Sequence, residues 1–389
     1  MKIFLTGATG LLGGELIVNL SKRNDISEIY CLVRGCSQIE AQFRIQKVFD
    51  LYGDFYDRKK IKIILANLND ENLTSLLTKN SDLQNIDTVI HAAANTSFSK
   101  FHDQVVEKTN IGGLTSILNW AKTLINLKLF TYISTATVCG KDTTDRIVFE
   151  NESPNIYASH LVKYTYTKMQ GEMLVRKELD AKKILILRPS IIMGNSKGII
   201  PRSPVILWAL ATINALRLCM FRPHTKVDII PVDYVAEVIE KIVFSQNRKH
   251  SVYHISAGPM NSTTPMKILS AIEPHFKDLP SFQFVSKELM QQLKLWSKGR
   301  LTDEAEIVYF KNYLEMWVQT FERKENMRKI FIGIEPYIDF IDLGHTFDNS
   351  RILQEFQLKN STPAHEYIVH SVEFLKNIDV LEGTFTKQL

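Results

Sequence analysis

Two side chains in the stretch "HLVKYTYTKMQGE", residues 160–172, could share a piece of acid–base chemistry. Tyr164 and Lys168 are four residues apart, so on a helix they lie one above the other and face one pocket. Tyr166, two residues from Tyr164, points elsewhere. A phenol with its ordinary pKa of about 10 is a poor acid–base group near neutrality. A neighbouring ammonium favours the phenolate and moves that pKa toward the working pH. The stretch alone decides nothing, because an amphipathic helix can carry such a pair incidentally. Its meaning depends on what the rest of the chain builds around it.

A second chemical signal opens the chain. "FLTGATGLLGGEL" sets Gly7, Gly10 and Gly13 between a strand-like run and a helical one, with Thr9, Leu11 and Leu12 in the same turn. Glycines here allow a tight turn and a close backbone approach to a pyrophosphate, which then sits on free N–H groups at the helix's positive end. Strand, glycine turn and helix in that order are the context such a motif requires. The next strand ends in "CLVRGCSQIEAQFRI". An acidic residue at that strand end would suit the 2′-hydroxyl of NAD, but here Arg34 stands at the end and Arg44 on the following helix. Two guanidinium groups can clamp a 2′-phosphate, so the expected cofactor is NADP(H).

The elements that must hold these residues are legible as a pattern. Apolar runs at "KIFLTG", "EIYCLVRG", "IKIILANL", "DTVIHAAA", "KLFTYIST" and "KILILRPS" alternate with amphipathic segments. Near-continuous apolar strands separated by helices predict an α/β fold, a Rossmann-type doubly wound parallel sheet covered on both faces. After about Gly194 the regularity fades into a Pro-rich crossover, "GIIPRSPV", and the apolar segment "PVILWALATINALRLCMF". A strand–helix unit "VDIIPVDYVAEVIEKIVF" and a last strand "SVYHISAG" come next. The expected division is a nucleotide domain over residues 1–258, with 196–226 contributing to the substrate side, and a smaller, mostly helical substrate lobe over 259–389.

The glycine spacing GxxGxxG and the Tyr-x-x-x-Lys pair together resemble the extended short-chain dehydrogenase/reductases. The resemblance implies further roles. "YISTATVCG" aligned on the family's S/T-x-x-V-x-G pattern selects Thr135 as the hydroxyl that bonds the substrate carbonyl, with Tyr164 as acid–base group and Lys168 on the nicotinamide ribose. "HAAANTSF" is similar to the family's fourth-strand segment, placing Ala92, Ala93 and Ala94 beside the cofactor. Asn110 in "TNIGG" resembles the asparagine that helps to place the lysine. "LRPSIIMG" is similar to the segment beside the nicotinamide, which implicates Pro189, Ile191 and Ile192. "ANLND" departs from the usual Asp-Leu at the adenine, offering Asn67 and Leu68 instead.

Within that branch, "IYCLVRG…AQFRI", "NLNDENL", "AAANTSF", "VDIIPVDYVAEVI" and "FDNSRILQEF" resemble fatty acyl-CoA reductases. They also resemble the thioester reductase domains of carboxylic acid reductases and peptide synthetases. The resemblance implies NADPH-dependent reduction of an acyl thioester, on coenzyme A or an acyl or peptidyl carrier protein. The expected product is an aldehyde, and an alcohol if a second hydride is used. The rival readings are an extended reductase or epimerase acting on a ketone, hydroxysteroid or sugar nucleotide, and a non-catalytic NADP-sensing scaffold. The Tyr–Lys pair argues against the last.

Composition narrows the field. With 45% hydrophobic and 23% charged residues the chain reads as globular. Four cysteines without a CxxC pair and ten scattered histidines predict neither a disulfide framework nor a metal site. A net charge of +5 spread along the chain makes nucleic acid a poor partner. The strand-like start leaves no room for a signal peptide, which points to a cytoplasmic protein. The apolar segment contains Asn214 and Arg217, so it reads as a buried helix rather than a transmembrane span, with peripheral membrane contact as a minor alternative.

Overall fold

All six apolar runs of the first half, and the later "SVYHISAG", become strands of one sheet. The computed structural model describes residues 1–199, 205–300 and 306–381. Its sheet contains β1 (Lys2–Thr6), β2 (Glu28–Val33), β3 (Ile61–Leu65), β4 (Thr88–His91), β5 (Leu129–Ile133), β6 (Ile184–Pro189) and β7 (Val252–Ile255). Their order is β7-β6-β5-β4-β1-β2-β3, and every neighbouring pair is parallel. The order reverses between β1 and β4. Chain crossovers leave a crevice there, at the C-terminal ends of the strands.

The apolar character of the runs has a direct cause: helices cover both faces. On one face α1 (Leu11–Ser21) and α2 (Gln38–Tyr52) pack with the helix Val232–Phe244 around Ile3, Leu5, Leu16, Phe49 and Ile239. On the other, the helices Gly113–Ala121 and Lys163–Glu178 pack around Phe4, Trp120, Phe130 and Val175. A strand buried on both sides has no polar face to show.

The lobe has its own core. The helix Val205–Leu216 packs with the helices Leu289–Trp296, Lys311–Phe321 and Lys324–Ile341. Indole nitrogens satisfy carbonyls there: Trp317 Nε1 donates to the Leu216 oxygen at 2.8 Å, and Trp208 Nε1 to the Val380 oxygen at 3.0 Å. The long apolar segment is therefore the spine of the lobe. Among the described residues no helix is long and apolar enough to cross a membrane. Residues 200–204 of the Pro-rich crossover lie outside the described residues.

The chain does not stay in the lobe. Thr346–Phe347 pairs in parallel with Ile147–Val148, and the helix Ser350–Phe356 sends Ile352, Leu353 and Phe356 into the sheet core beside β7 and the helix Val232–Phe244. Asp228, buried between these parts, accepts the N–H groups of Ala257 at 2.8 Å and Phe347 at 3.2 Å. The lobe is thus tied back onto the sheet whose strand ends carry the site.

Candidate active site

The glycine turn leaves β1 with Gly7 at φ +80°, and a Cβ there would meet the Ala93 nitrogen at 2.8 Å. A Cβ on Gly13 would strike the Gly7 carbonyl. Both positions need glycine. Gly10 donates to the Gly7 oxygen at 2.8 Å and serves as N-cap of α1 without a side-chain cap, so the first-turn N–H groups of Leu11, Leu12 and Gly13 remain open to an anion. Thr6 Oγ1 shares a hydrogen with His91 Nδ1 at 3.0 Å and accepts the Ala93 N–H at 3.1 Å. This clamp holds Ala92, Ala93 and Ala94 against the turn.

Arg34 and Arg44 converge. Arg44 Nη1 donates to the Arg34 carbonyl at 2.8 Å, and its Nη2 reaches Thr9 Oγ1 at 3.3 Å. Lost hydration, then the Arg44 charge, lowers the Arg34 pKa. No carboxylate pairs with either guanidinium among the described residues. An uncapped helix end and a glycine cradle fit a dinucleotide, with the two cations Arg34 and Arg44 beside them. Asn67, the candidate adenine contact, accepts from Asn69 N at 3.1 Å through Oδ1, which leaves one lone pair and its amide hydrogens for a ligand. Leu68 is buried and touches Gly113, where a Cβ would crowd it at 2.8 Å.

The candidate reacting groups meet beyond β5. Thr135 is buried and shares a hydrogen with Thr137 Oγ1 at 2.9 Å, and its hydroxyl lies near enough to the Tyr164 phenol to lower that group's pKa. The Pro189 carbonyl lies 3.5 Å from Thr135 Oγ1, so the end of β6 borders the same corner. Ile191 and Ile192 continue it, paired with Ile229 and Ile230. Tyr164 occupies the first turn of the helix Lys163–Glu178, and Lys168 the next turn. Lys168 Nζ donates to the Ile133 carbonyl at 2.6 Å and lies 4.8 Å from the centre of the Tyr132 ring.

Tyr166 leaves this corner. Its hydroxyl accepts from Gln170 Nε2 at 3.3 Å and its ring lies edge-on to His160. Asn110 sits in a single π-helical turn, Lys108–Gly112. Its side chain accepts the Asn95 N–H at 2.7 Å and donates to Thr167 Oγ1 at 3.0 Å, while Thr167 Oγ1 donates to the Tyr164 carbonyl at 2.9 Å. Asn110 therefore reaches the residue before Lys168 rather than its ammonium.

Protonation differs from what spacing suggests. Burial pushes the Tyr164 phenol up to about 12, only partly offset by Thr135. Burial also brings Lys168 down to about 7, and Glu172 pulls it back up. Glu172, one turn past Lys168, is wholly buried. It accepts from Ser134 Oγ at 2.7 Å, from Arg188 Nε and Nη2 at 2.7 and 2.8 Å, and from Arg176 at 3.0 Å. Sequence reasoning misses this carboxylate, although its place at the end of the Tyr–Lys stretch is a usable signal. It also misses an aromatic wall: the Phe98 ring lies 6.4 Å from Tyr164, 4.7 Å from Tyr337 and 5.3 Å from Phe340.

Residues 5–239 match the family described as Male sterility protein, an NAD-binding family. Fatty acyl-CoA reductase 2 of Homo sapiens is 26% identical over 324 residues, which cover 72% of this chain and 62% of that protein. Fatty acyl-CoA reductase wat of Drosophila melanogaster is 25% identical over 236 residues, 53% of this chain and 44% of that one. The chain thus spans less than two thirds of the length of these relatives. Among solved structures, the terminal R domain from the myxalamid PKS-NRPS biosynthetic pathway superposes with a TM-score of 0.72 at 21% identity, over 96% of this chain and 90% of that one. UDP-glucuronic acid 4-epimerase from Bacillus cereus, solved with UDP-glucuronic acid and NAD, gives 0.64 at 19% identity, over 97% and 99%. Both share the fold of this chain. Because the family match runs from β1 into the helix Val232–Phe244 and takes in more than half of the sequence, the chain belongs to the Male sterility protein family, with fatty acyl-CoA reductases as homologues.

Proposed function

We propose that this chain reduces an acyl thioester, carried on coenzyme A or on a carrier protein, with NADPH as the reductant. One observation carries the reading. The hydroxyls of Thr135 and Tyr164 meet in a polar corner, and an aromatic wall of Phe98, Tyr337 and Phe340 runs on from the Tyr164 ring. That corner offers hydrogen-bond donors to one carbonyl oxygen, and the wall offers an apolar chain its surroundings. A sugar ring would find few partners there. The fatty acyl-CoA reductase homologues and the similarity to a reductase domain support the same reading.

When bound, NADPH supplies the hydride to the thioester carbon. Everything else falls to the chain. Thr135 and Tyr164 hold the carbonyl oxygen, and donors fixed in advance cost no reorganisation as charge develops on it. Tyr164, protonated throughout the neutral range, gives its proton to that oxygen. Lys168, fastened to the Ile133 carbonyl, would offer its remaining N–H donors to the nicotinamide ribose. The resulting hemithioacetal loses its hydroxyl proton, the C–S bond breaks, and the thiolate takes up a proton, leaving an aldehyde and a free thiol. The same two hydroxyls could hold the aldehyde oxygen for a second reduction to an alcohol.

The test is NADPH oxidation against acyl-CoA and acyl-carrier thioesters beside sugar nucleotides, hydroxysteroids and simple ketones, with trapping of aldehyde and alcohol. Turnover confined to the thioesters is expected. Turnover of a sugar nucleotide or ketone without any thioester activity would overturn the assignment.

A further inference from the structure

A cleft of about 360 Å³ opens beside β7, the edge strand of the sheet, away from the cofactor crevice. Its volume lies within the range of small-molecule sites, about 300–1,000 Å³. Four cations line it, Arg176, Arg188, Lys249 and Arg351, against two carboxylates, Glu150 and Glu152. Both carboxylates are already engaged. Glu152 takes a two-pronged contact from Arg146 at 2.9 Å on each oxygen and the Phe149 N–H at 2.7 Å. Glu150 accepts the N–H groups of His254 at 2.9 Å and Arg351 at 3.0 Å. Glu355 nearby accepts the Lys249 N–H at 2.7 Å and the Tyr253 hydroxyl at 2.8 Å.

The cations are less satisfied. Arg188 uses Nε and Nη2 on Glu172 and Nη1 on the Glu152 carbonyl. Arg351 spends Nη1 on the Val252 carbonyl at 2.8 Å, and its Nε lies 3.9 Å from Glu150 Oε2, which leaves Nη2 for a ligand. Arg176 binds Glu172 through Nη1 alone, and its side chain is 38% exposed. Lys249 is exposed, and no carboxylate pairs with its ammonium among the described residues. The donors left over, on Arg176, Lys249 and Arg351, belong to three separate elements and surround one polar space.

We propose that this cleft is a second anion-binding site, taking a phosphate or the phosphate of a small phosphorylated molecule between Arg176, Lys249 and Arg351. Charge-assisted bonds from guanidinium and ammonium groups are the chemistry that recognises such a group. Arg176 stands twelve residues beyond Tyr164 on one helix, roughly 18 Å along its axis at 1.5 Å per residue, so the site is separate from the reaction corner. It is still connected to that corner. Arg176 and Arg188 hold Glu172, the carboxylate that faces Lys168.

Two sources share this chemistry: a free phosphorylated molecule, or the phosphates of the thioester substrate itself, the latter resting on the function proposed above. Calorimetric titration of the NADPH-saturated protein with inorganic pyrophosphate tests the site, because the cofactor then fills the Arg34–Arg44 position. One saturable event is expected, weakened at least tenfold in Lys249→Glu and less in Lys249→Ala, both at an exposed position. An unchanged KM for acyl-CoA in Lys249→Glu assigns the site to a separate ligand, and a raised KM assigns it to the substrate's phosphates. Absence of saturable binding, or equal affinity in wild type and Lys249→Glu, would overturn the proposal whatever the enzyme reduces.

Discussion

Lys168 gives its ammonium hydrogen to the carbonyl of Ile133 at 2.6 Å, two residues before Thr135. The bond ties the Tyr164 helix to the end of β5, and Ser134 repeats the tie one residue later through Glu172 at 2.7 Å. Thr135 and Tyr164 therefore keep one relative position because the residues behind them are bolted together.

Holding a buried ammonium in that place makes stability depend on pH. Lys168 falls from 10.5 to about 7 on folding, so between these values the unfolded chain binds more protons and stability rises with pH. The destabilisation is fully present below about pH 7 and is relieved above it. In Lys168→Met the contribution is absent. Denaturant midpoints of the cofactor-free protein, measured from pH 6.5 to 8.5 as a difference between the two proteins, should show the wild type gaining on the variant. Taking the difference cancels the buried thiols of Cys31 and Cys219, whose pKa values burial raises in both proteins. A flat difference would mean that Lys168 is not held as the geometry has it.

On the proposed function, cofactor choice is expected to rest on Arg34 and Arg44. NADPH should bind at least tenfold tighter than NADH, a difference of about 1.4 kcal/mol or more. Arg34→Ala should remove most of that preference and leave NADH affinity nearly unchanged. Arg44→Ala should do more harm, since Arg44 also holds the Arg34 carbonyl and Thr9. Fluorescence titration with both nucleotides decides it, and equal wild-type affinities would remove the case for a 2′-phosphate clamp.

How much of this the sequence shows depends on distance along the chain. The strands of the first half are legible because burial on both faces makes them apolar runs, and the glycine turn because Gly7 and Gly13 are irreplaceable within one short segment. The lobe is not legible in that way. Its two-residue strand Leu218–Cys219 finds its partner at Gln283–Phe284, and the helix Ser350–Phe356 returns to the sheet core before the chain re-enters the lobe at Ala364. Phe98 ends the segment "AAANTSF", whose alanines read as cofactor neighbours, yet its ring packs on Tyr337, far down the chain. No spacing rule reaches that pair. The phenol's pKa escapes the spacing argument for a related reason, because Lys168 faces Tyr132 and the Ile133 carbonyl while burial dominates at Tyr164.

Phe98 separates Tyr164 from Tyr337 and Trp208, whose rings lie 5.8 Å apart. An acyl chain leaving the reaction corner toward the lobe must pass that ring. Phe98→Ala should therefore shift preference toward longer or bulkier acyl groups, raising their relative kcat/KM severalfold. NADPH affinity should stay as it is. The ring is half-buried, so the deletion should destabilise the protein by about 3 kcal/mol or less, the low end for removing a core Phe. Competition between short and long thioesters in one reaction reads the shift directly, and an unchanged ratio would exclude Phe98 from the acyl path.

Tyr164 and Tyr166 provide the sharpest comparison, since the same substitution at positions two residues apart should have opposite outcomes. The Tyr164 phenol meets Thr135, whereas the Tyr166 hydroxyl meets Gln170 with the Lys163 ammonium 5.3 Å from its ring centre. Tyr164→Phe removes the proton donor and one of two bonds to the carbonyl oxygen, so turnover should fall by about 10² to 10⁴-fold. NADPH binding should survive, because Lys168 stays fastened to Ile133. Tyr166→Phe loses one long hydrogen bond at the surface of the helix and should keep nearly all activity. Single-turnover NADPH oxidation of the two variants, each first checked for cofactor affinity, separates chemistry from folding. If Tyr166→Phe proves inactive while Tyr164→Phe works, the proton reaches the substrate by another route and the role given to the Thr135–Tyr164 corner is wrong.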